Sequence, residues 1–230
     1  RLKKMGYDYL AIGGMVPLNS KQIKEALHSI REQVGFEIRI HILGFAKADQ
    51  ISEFKDFNIT SFDTTSPLIR AFKDSKKNYY VHTKSSSLEY YTTIRIPQAT
   101  ENKTLKILAK EGKFSQEDFL KREKLALNAI RALDSSNGDL EETLNVIMHY
   151  SGPLLIGSDD FSSEQNLKKY EKLKTSYRRT LEASPWKTCE CDICKKVSVE
   201  VIIFRGSNRN RRRGFHNLKI YNDHIKYLGV

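Results

Sequence analysis

Apolar residues in the first third of the chain alternate between a two-residue spacing and a helical spacing. In residues 37–45, isoleucines alternate with polar side chains, which indicates a strand with one buried face. A helix is predicted between a cap at Asn19 or Ser20 and a stop at Gly35. The predicted strands are 7–12, 37–45 and 59–63. Strands that alternate with helices in this way predict parallel β/α units.

The middle of the chain has helical patterning instead. Ser115 with Asp118, and Asp139 with Glu142, resemble capping boxes at the starts of two helices. Another helix is expected to begin after a cap at Ser162 or Ser163. The sequence therefore predicts β/α units followed by a mainly helical region.

The cysteines of the chain are clustered. They lie within six positions: Cys189, Cys191 and Cys194. With one downstream histidine, three such thiolates make the closed tetrahedral set that holds structural zinc. His216 and His224 compete for the fourth place, and His216 is preferred because the polar block 205–217 needs an anchor. The odd number of cysteines argues against a disulfide framework.

The chain is strongly basic, with a net charge of +11 and a pI near 9.4. A surplus of this kind favours a polyanionic partner, since each neutralised phosphate releases counterions. The densest group of cations lies just before His216 and consists of Arg205, Arg209, Arg211, Arg212 and Arg213. Its guanidinium groups suit phosphate, although a solvated surface would have the same composition. No apolar run is long enough for a membrane span and no signal peptide is visible, so a cytoplasmic protein without membrane contact is expected.

Residues that could take part in catalysis or in base binding lie at two of the predicted strand ends. Asp63 ends the third strand, where it could attack a sugar carbon or simply cap the next helix. Gly13 and Gly14 end the first strand, where they could admit a flat purine to the backbone or form a tight turn. The same argument applies more weakly to Gly44, and His41 is interpreted as a packing histidine. From the residues alone these alternatives stay open.

Three parts of the sequence resemble the tRNA-guanine transglycosylase family. The cysteine cluster with His216-Asn217 is similar to the zinc signature of that family. The segments 11–15, 41–45 and 61–63 resemble its base-recognition strand end and the two strand ends that follow. Trp186 and the arginine-rich run look most like the DNA-modifying branch, whose members insert a 7-deazaguanine into DNA.

The resemblance implies a fold and a division of the chain. Residues 1–78 would be the last β/α units of a (β/α)8 barrel, residues 79–163 a mainly helical insertion, and residues 164–230 a zinc-binding subdomain with a closing helix. The N-terminal half of the barrel would lie outside this chain, together with the general acid/base residue. A homodimer or partner subunits are also compatible with this family.

The resemblance also implies a reaction. Asp63 would be the nucleophile of a guanine exchange, forming a covalent Asp–sugar intermediate. The base would be bound by Gly13, Gly14, Met15 and Gly44, and DNA by the five arginines. A 7-deazaguanine such as 7-cyano-7-deazaguanine would be installed, and Zn²⁺ would stabilise the fold. The alternatives are a tRNA-guanine transglycosylase and a non-catalytic accessory subunit that binds nucleic acid.

Overall fold

A computed structural model describes residues 1–45, 48–83, 87–158 and 160–228, with side chains for all of these except residues 48 and 49. The strands in this part of the chain are β1 (Tyr9–Ile12), β2 (Arg39–Ile42), β3 (Ser61–Phe62), β4 (Tyr79–His82), β5 (Leu88–Tyr91), β6 (Ile94–Arg95) and β7 (Ile203–Phe204). The α-helices are α1 (Ser20–Val34), α2 (Ser66–Lys73), α3 (Lys103–Lys110), α4 (Gln116–Asp134), α5 (Leu140–Ile156), α6 (Glu164–Ala183), α7 (Pro185–Thr188), α8 (Asp192–Val197) and α9 (Ser207–Leu228). Short 3₁₀ helices occupy Lys3–Met5, Ala48–Phe57 and Ser198–Ile202.

The first three strands form a parallel sheet in the order β1-β2-β3. Ile12 pairs with Ile42, and Ile42 with Phe62, so all three strands end at the same edge. The predicted cap of α1 is confirmed, because Asn19 accepts a hydrogen bond from the backbone of Gln22 and the Gln22 side chain accepts one in return. These elements are the predicted β/α units.

The two faces of this sheet differ in their cover. The isoleucines of β2 are buried beneath α1 and the 3₁₀ helix at 48–57, in a core that also holds Leu27 and Phe54. On the other face, Tyr9 and Arg39 are exposed and His41 is only partly covered. Parallel sheets are normally covered on both faces. The described residues therefore form part of an α/β layer, and they do not close an eight-stranded barrel.

The long helix α9 packs against α2, and the two helices run in opposite directions. Arg213 lies beside Ala71 and Asn217 beside Pro67. A Cβ at Gly214 would come within 2.5 Å of a methyl carbon of Leu68, so a larger residue there would displace that side chain. Most of the arginine run lies in the first two turns of this helix, so its members point to different sides.

A larger core joins the middle and the C-terminal third of the chain. It includes Tyr79, Ile130 and Ile147 together with Trp186 and Ile203. The strand pair β6-β7 also connects the two regions, since Ile94 is in register with Ile203. Residues on both sides of the predicted boundary at 163/164 thus share one core, and the boundary itself stays a prediction. Among the described residues, no helix combines the length and the apolar character that crossing a membrane requires.

Candidate active site and metal centre

Asp63 follows β3 directly and lies at the edge where the parallel strands end. Its side chain is 57% exposed. Its Oδ1 atom accepts a hydrogen bond from the backbone N–H of Gly44 at 3.0 Å and contacts Nε2 of His41 at 3.2 Å. The Gly44 N–H, and then His41, hold the pKa of Asp63 below its ordinary value. Asp63 is therefore an ionised and accessible carboxylate at neutral pH.

Gly44 has the backbone conformation that this contact requires. Its φ is +65°, a region that residues with a side chain rarely adopt. A Cβ there would also lie 2.9 Å from a methyl carbon of Val16. The backbone N–H of Phe45 donates to the carbonyl oxygen of Asp63 at 2.8 Å, which ties the two strand ends together. Glycine at position 44 thus allows the chain to turn its N–H toward the carboxylate.

The structure brings Gly13 and Gly14 to the same edge. Both are exposed, and Gly14 has a φ of +79° with open space where a side chain would begin. Leu43 separates Gly13 from Asp63, which places the glycine and the carboxylate two strand spacings apart, about 10 Å. Met15 lies elsewhere: it is 4% exposed and packs in the core beneath the edge, so it presents no free face to a base.

The three cysteines and His216 form one compact group. Their ligand atoms lie within 4.8 Å of one another. The Nδ1 atom of His216 is 3.7 Å from Sγ of Cys189, 3.3 Å from Sγ of Cys191 and 3.4 Å from Sγ of Cys194. In a tetrahedral zinc site, ordinary bond lengths place such sulfur and nitrogen atoms about 3.6 Å apart. The four residues therefore form a site that could bind a metal ion and has dimensions consistent with zinc.

The pKa shifts of the cysteine thiols are also consistent with a bound cation. Contacts with Cys189 and then Cys194 lower the pKa of the Cys191 thiol, whereas contacts with Cys189 and then Cys191 raise the pKa of Cys194. Negative charge on one sulfur thus opposes charge on the next. A divalent ion between the sulfurs removes this conflict, because it stabilises all of them as thiolates.

Contacts around the ligands orient them. The Nε2 atom of His216 lies 2.8 Å from the carbonyl oxygen of Tyr80, to which it donates its proton, so Nδ1 is left as the ligand. The Tyr79 ring stacks on the imidazole with centroids 4.2 Å apart, and its hydroxyl lies 3.2 Å from Sγ of Cys194. The structure therefore selects His216 over His224, which is buried elsewhere on α9 next to His82.

Asn217 connects this metal centre with the sheet region. It is fully buried and accepts a hydrogen bond from the backbone N–H of Tyr80 at 3.0 Å. Its amide donates to the carbonyl oxygens of Pro67 and Asn78, both at 3.1 Å. Pro67 belongs to the helix that follows Asp63. The neighbouring residues His216 and Asn217 thus hold the metal centre and the active-site helix in one arrangement.

The five arginines separate into three kinds. Arg211 and Arg212 are exposed on α9. Arg205 and Arg209 are paired with carboxylates, Arg205 with Glu123 and Arg209 with Glu200, at 2.5 Å in both cases. Only the first kind is available to a phosphate without breaking an ion pair.

Arg213 is the third kind, and its predicted contact with nucleic acid is wrong for this structure. It is 0% exposed and donates hydrogen bonds to the carbonyl oxygens of Ala71, Val201 and Ile203 and to Oδ1 of Asn210. Burial lowers the pKa of Arg213 to about 9, which leaves it cationic at neutral pH. The reason for the error is helical geometry: the residue points inward, whereas Arg211 and Arg212 point outward.

From the sequence, His41 is interpreted as a packing histidine, which misses its contacts with Ser61 and Asp63. Its Nδ1 atom contacts Oγ of Ser61, and the same oxygen contacts the Tyr9 hydroxyl, both at 2.5 Å. His41 thus lies between Ser61 and Asp63. The signal was present in the alternation of β2, because the residues that do not join the isoleucine core must face the other side of the sheet.

Comparison with known proteins gives one clear relationship. No model of a known protein family matches the chain. A curated DNA-guanine transglycosylase of Salmonella montevideo is 38% identical over 226 residues, which make up 98% of this chain and 51% of that protein. The chain therefore spans about half the length of the curated relative that it matches.

Proposed function

The chain belongs to the transglycosylase family, in its DNA-guanine branch, and on this premise we propose that it carries part of the active site of a guanine exchange enzyme. The enzyme removes guanine from DNA and installs a 7-deazaguanine such as 7-cyano-7-deazaguanine. The name of the relative supports guanine and DNA, and the incoming base is an expectation from the family resemblance. The observation that carries the proposal is the position of Asp63, an ionised and exposed carboxylate at the end of a parallel strand.

Asp63 acts as the nucleophile in this proposal. Both of its side-chain contacts with Gly44 and His41 fall on Oδ1, so Oδ2 is the oxygen assigned to the attack on C1′ of the nucleotide. As the new C–O bond forms, guanine leaves with the electrons of the C1′–N9 bond and takes up a proton. The incoming base loses one proton and displaces the carboxylate, which balances the exchange. This is the logic of retaining glycoside chemistry.

The remaining cover of the sheet is supplied by protein outside these 230 residues. The face that carries Tyr9, Arg39 and His41 is open here, although parallel sheets are covered on both sides. The relative is about twice as long as the matched region. We place the earlier strands of a (β/α)8 barrel there, together with the residue that donates and accepts the protons. In such barrels the catalytic groups lie at the C-terminal ends of the strands, as Asp63 does.

Zinc has a structural role in this proposal. Cys189, Cys191, Cys194 and His216 supply four ligands, which leaves no open coordination position for a substrate. When bound, the ion would stabilise the three thiolates and would fix α8 against α9. His216 and Asn217 then hold the helix that follows Asp63, so the metal acts on the reaction only through the position of that helix.

DNA contact is assigned to the exposed arginines. Arg211 and Arg212 immediately precede Arg213, which contacts Ala71 in the last turn of α2, at the end of that helix away from Asp63. In this proposal they therefore contact the backbone of neighbouring nucleotides and not the exchanged one. Phosphate contacts of this type position a duplex without reading its sequence.

A trapping experiment tests the function. The full-length protein is incubated with a guanine-containing duplex and, separately, with tRNA, and covalent adducts are separated under denaturing conditions. We expect a base-labile adduct with DNA, and incorporation of labelled guanine into DNA, because the carboxylate forms an ester with C1′. Asp63→Asn, which preserves shape and removes the charge, abolishes both.

The other outcomes separate the alternatives. An adduct with tRNA and none with DNA would assign the enzyme to tRNA. Binding of DNA without an adduct, in protein that contains the complete sheet, would favour a non-catalytic accessory subunit. Exposed Asp56, replaced by Asn, is the matched control and leaves the adduct unchanged.

A further inference from the structure

A continuous chain of polar contacts runs across the open face of the parallel sheet to Asp63. It begins at the Tyr9 hydroxyl on β1, passes through Oγ of Ser61 on β3 and the ring of His41 on β2, and ends at Oδ1 of Asp63. The distances are 2.5, 2.5 and 3.2 Å. Each strand of the sheet contributes at least one member, so the chain can form only when all three strands are in register.

The direction of these hydrogen bonds follows from the last acceptor. An ionised carboxylate cannot donate, so Nε2 of His41 must carry the proton that it shares with Asp63. In the neutral imidazole, Nδ1 then accepts from the Ser61 hydroxyl, and Ser61 in turn accepts from Tyr9. In the imidazolium, Nδ1 donates to Ser61 instead. Both states keep the donor to Asp63 in place, because only the Ser61 and Tyr9 protons reverse.

We propose that His41 is a positioning residue for the Asp63 nucleophile, oriented by Ser61 and Tyr9 and acting through its Nε2–H on Oδ1. This inference rests on the proposed function of Asp63. It assigns to His41 and to the Gly44 N–H the task of holding Oδ1, so that the rotation of the carboxylate is restricted and Oδ2 is directed to C1′. Precise orientation of this kind is a large source of rate in enzymes.

The surroundings of His41 support positioning and not simple packing. Its side chain is 26% exposed and lies on the face opposite the isoleucine core. The titratable or charged groups that face it across the sheet are Asp63 and Tyr9, and Arg39 lies one position away on the same face, over the Tyr9 ring at 4.8 Å. Arg39 is itself paired with Asp8 at 2.9 Å. The carboxylate of Asp63 is thus the anion in direct contact with the imidazole.

The test compares His41→Leu with His41→Gln in the full-length, zinc-loaded protein. Leucine removes the donor, whereas the glutamine amide can still donate from the position of Nε2. We expect His41→Leu to lower kcat for guanine exchange by about 100-fold with little change in KM, and His41→Gln to recover most of that loss. Ser61→Ala keeps the contact with Asp63 but frees the ring, so a smaller loss is expected.

The pH profile gives a readout that a structural role would not change. His41 helps to hold the pKa of Asp63 down, after the Gly44 N–H. Its loss raises that pKa, so the acid limb of kcat/KM moves to higher pH in His41→Leu and stays near its original position in His41→Gln. The matched control is His28→Gln, a histidine exposed on α1. It leaves rate and profile unchanged.

The outcomes are separable from those of the proposed function. If Asp63→Asn abolishes the adduct while His41→Leu retains the original kcat and acid limb, the positioning inference is overturned and the nucleophile stands. Equal losses in His41→Leu and His41→Gln, with no shift of the acid limb, also overturn it. If Asp63→Asn still forms the adduct, the proposed function fails first.

Discussion

Polar residues have opposite roles at the sheet edge, where β1, β2 and β3 end, and in the region around the candidate metal site, residues 189–217, which we call the metal lobe. At the edge, Asp63 is exposed and held by two contacts on one oxygen. In the lobe, Arg213, His216 and Asn217 are fully buried. Each of them donates a hydrogen bond to a backbone carbonyl oxygen from another part of the chain. The edge keeps polar atoms free, whereas the lobe uses them to fix its own structure.

This difference shows why a charged or polar residue type, by itself, does not identify a functional site. A buried polar group needs its partners, since leaving it unsatisfied costs more free energy than the hydrogen bond contributes. Removal of a residue in the lobe should therefore reduce stability. Removal of a polar side chain at the edge should reduce activity and leave the fold intact.

The largest effect should follow loss of the metal centre. His216→Ala removes a ligand, the contact with the Tyr80 carbonyl and the ring stacked on Tyr79. Structural zinc contributes on the order of 10 kcal/mol to the folding of small metal-bound units. We expect the variant to lose bound zinc, measured by mass spectrometry, and the cooperative thermal unfolding of the lobe, measured by circular dichroism.

The control for this prediction is another buried histidine of the same helix. His224→Ala removes an imidazole that has no contact with the thiols. It should retain one zinc ion per chain and unfold cooperatively at a somewhat lower temperature. If both variants kept their zinc, the Cys₃His assignment would be wrong.

The next largest effect should distinguish two neighbouring arginines. Arg213→Met leaves several buried oxygens without a donor, among them those of Ala71 and Asn210, and should destabilise the protein by about 3 kcal/mol or more in denaturant unfolding. Arg212→Met changes an exposed side chain and should stay within about 0.5 kcal/mol of the original.

In DNA binding, the Arg212 variant and not the Arg213 variant should show the larger effect. Arg212→Met should weaken affinity and reduce the slope of log K against log salt by about 1, as expected for one lost phosphate contact. Arg213→Met, measured at a temperature where it is folded, should keep the original slope. A loss of slope in Arg213→Met alone would contradict the division of α9 into a buried and an exposed face.

The smallest effect concerns the glycine that contacts Asp63. In Gly44→Ala the positive φ and the close approach to Val16 add up to an expected loss of about 2 kcal/mol. Gly112→Ala has a similar φ, +71°, with open space around the new Cβ, so about 1 kcal/mol is expected. Unfolding midpoints would measure both, and equal midpoints would show that the contact with Val16 relaxes without cost.

Part of the local structure and most of one candidate site could be predicted from the sequence. The caps at Asn19, Ser115 and Asp139 all accept the predicted backbone hydrogen bonds. The spacing of the cysteines predicted three members of the candidate metal site, because residues so close in sequence must be close in space. The choice of His216 required the fold, although the preference for it was confirmed by the geometry.

The inward face of α9 could have been recognised but was not. Its buried residues recur at intervals of three and four, as in an amphipathic helix, and several of them are polar: Asn210, Arg213, Asn217, Tyr221 and His224. An apolar stripe is the usual sign of a buried helix face, and because this face is polar the arginine run on it is predicted from the sequence to contact nucleic acid. Only partners from α2, β4 and the segment before β7 show that Arg213 and Asn217 make their hydrogen bonds inside the protein.

The sequence by itself determined the β/α units of the first third, the caps of three helices and the cysteine cluster, since each of these depends on residues that are near one another along the chain. The tertiary structure decided which polar residues are free. Asp63 meets His41 and Gly44 only because β2 and β3 run parallel and end together, and Arg213 is enclosed because α9 packs against α2 and the segment before β7. Exposure is a property of what packs against a residue, and those neighbours come from distant parts of the chain.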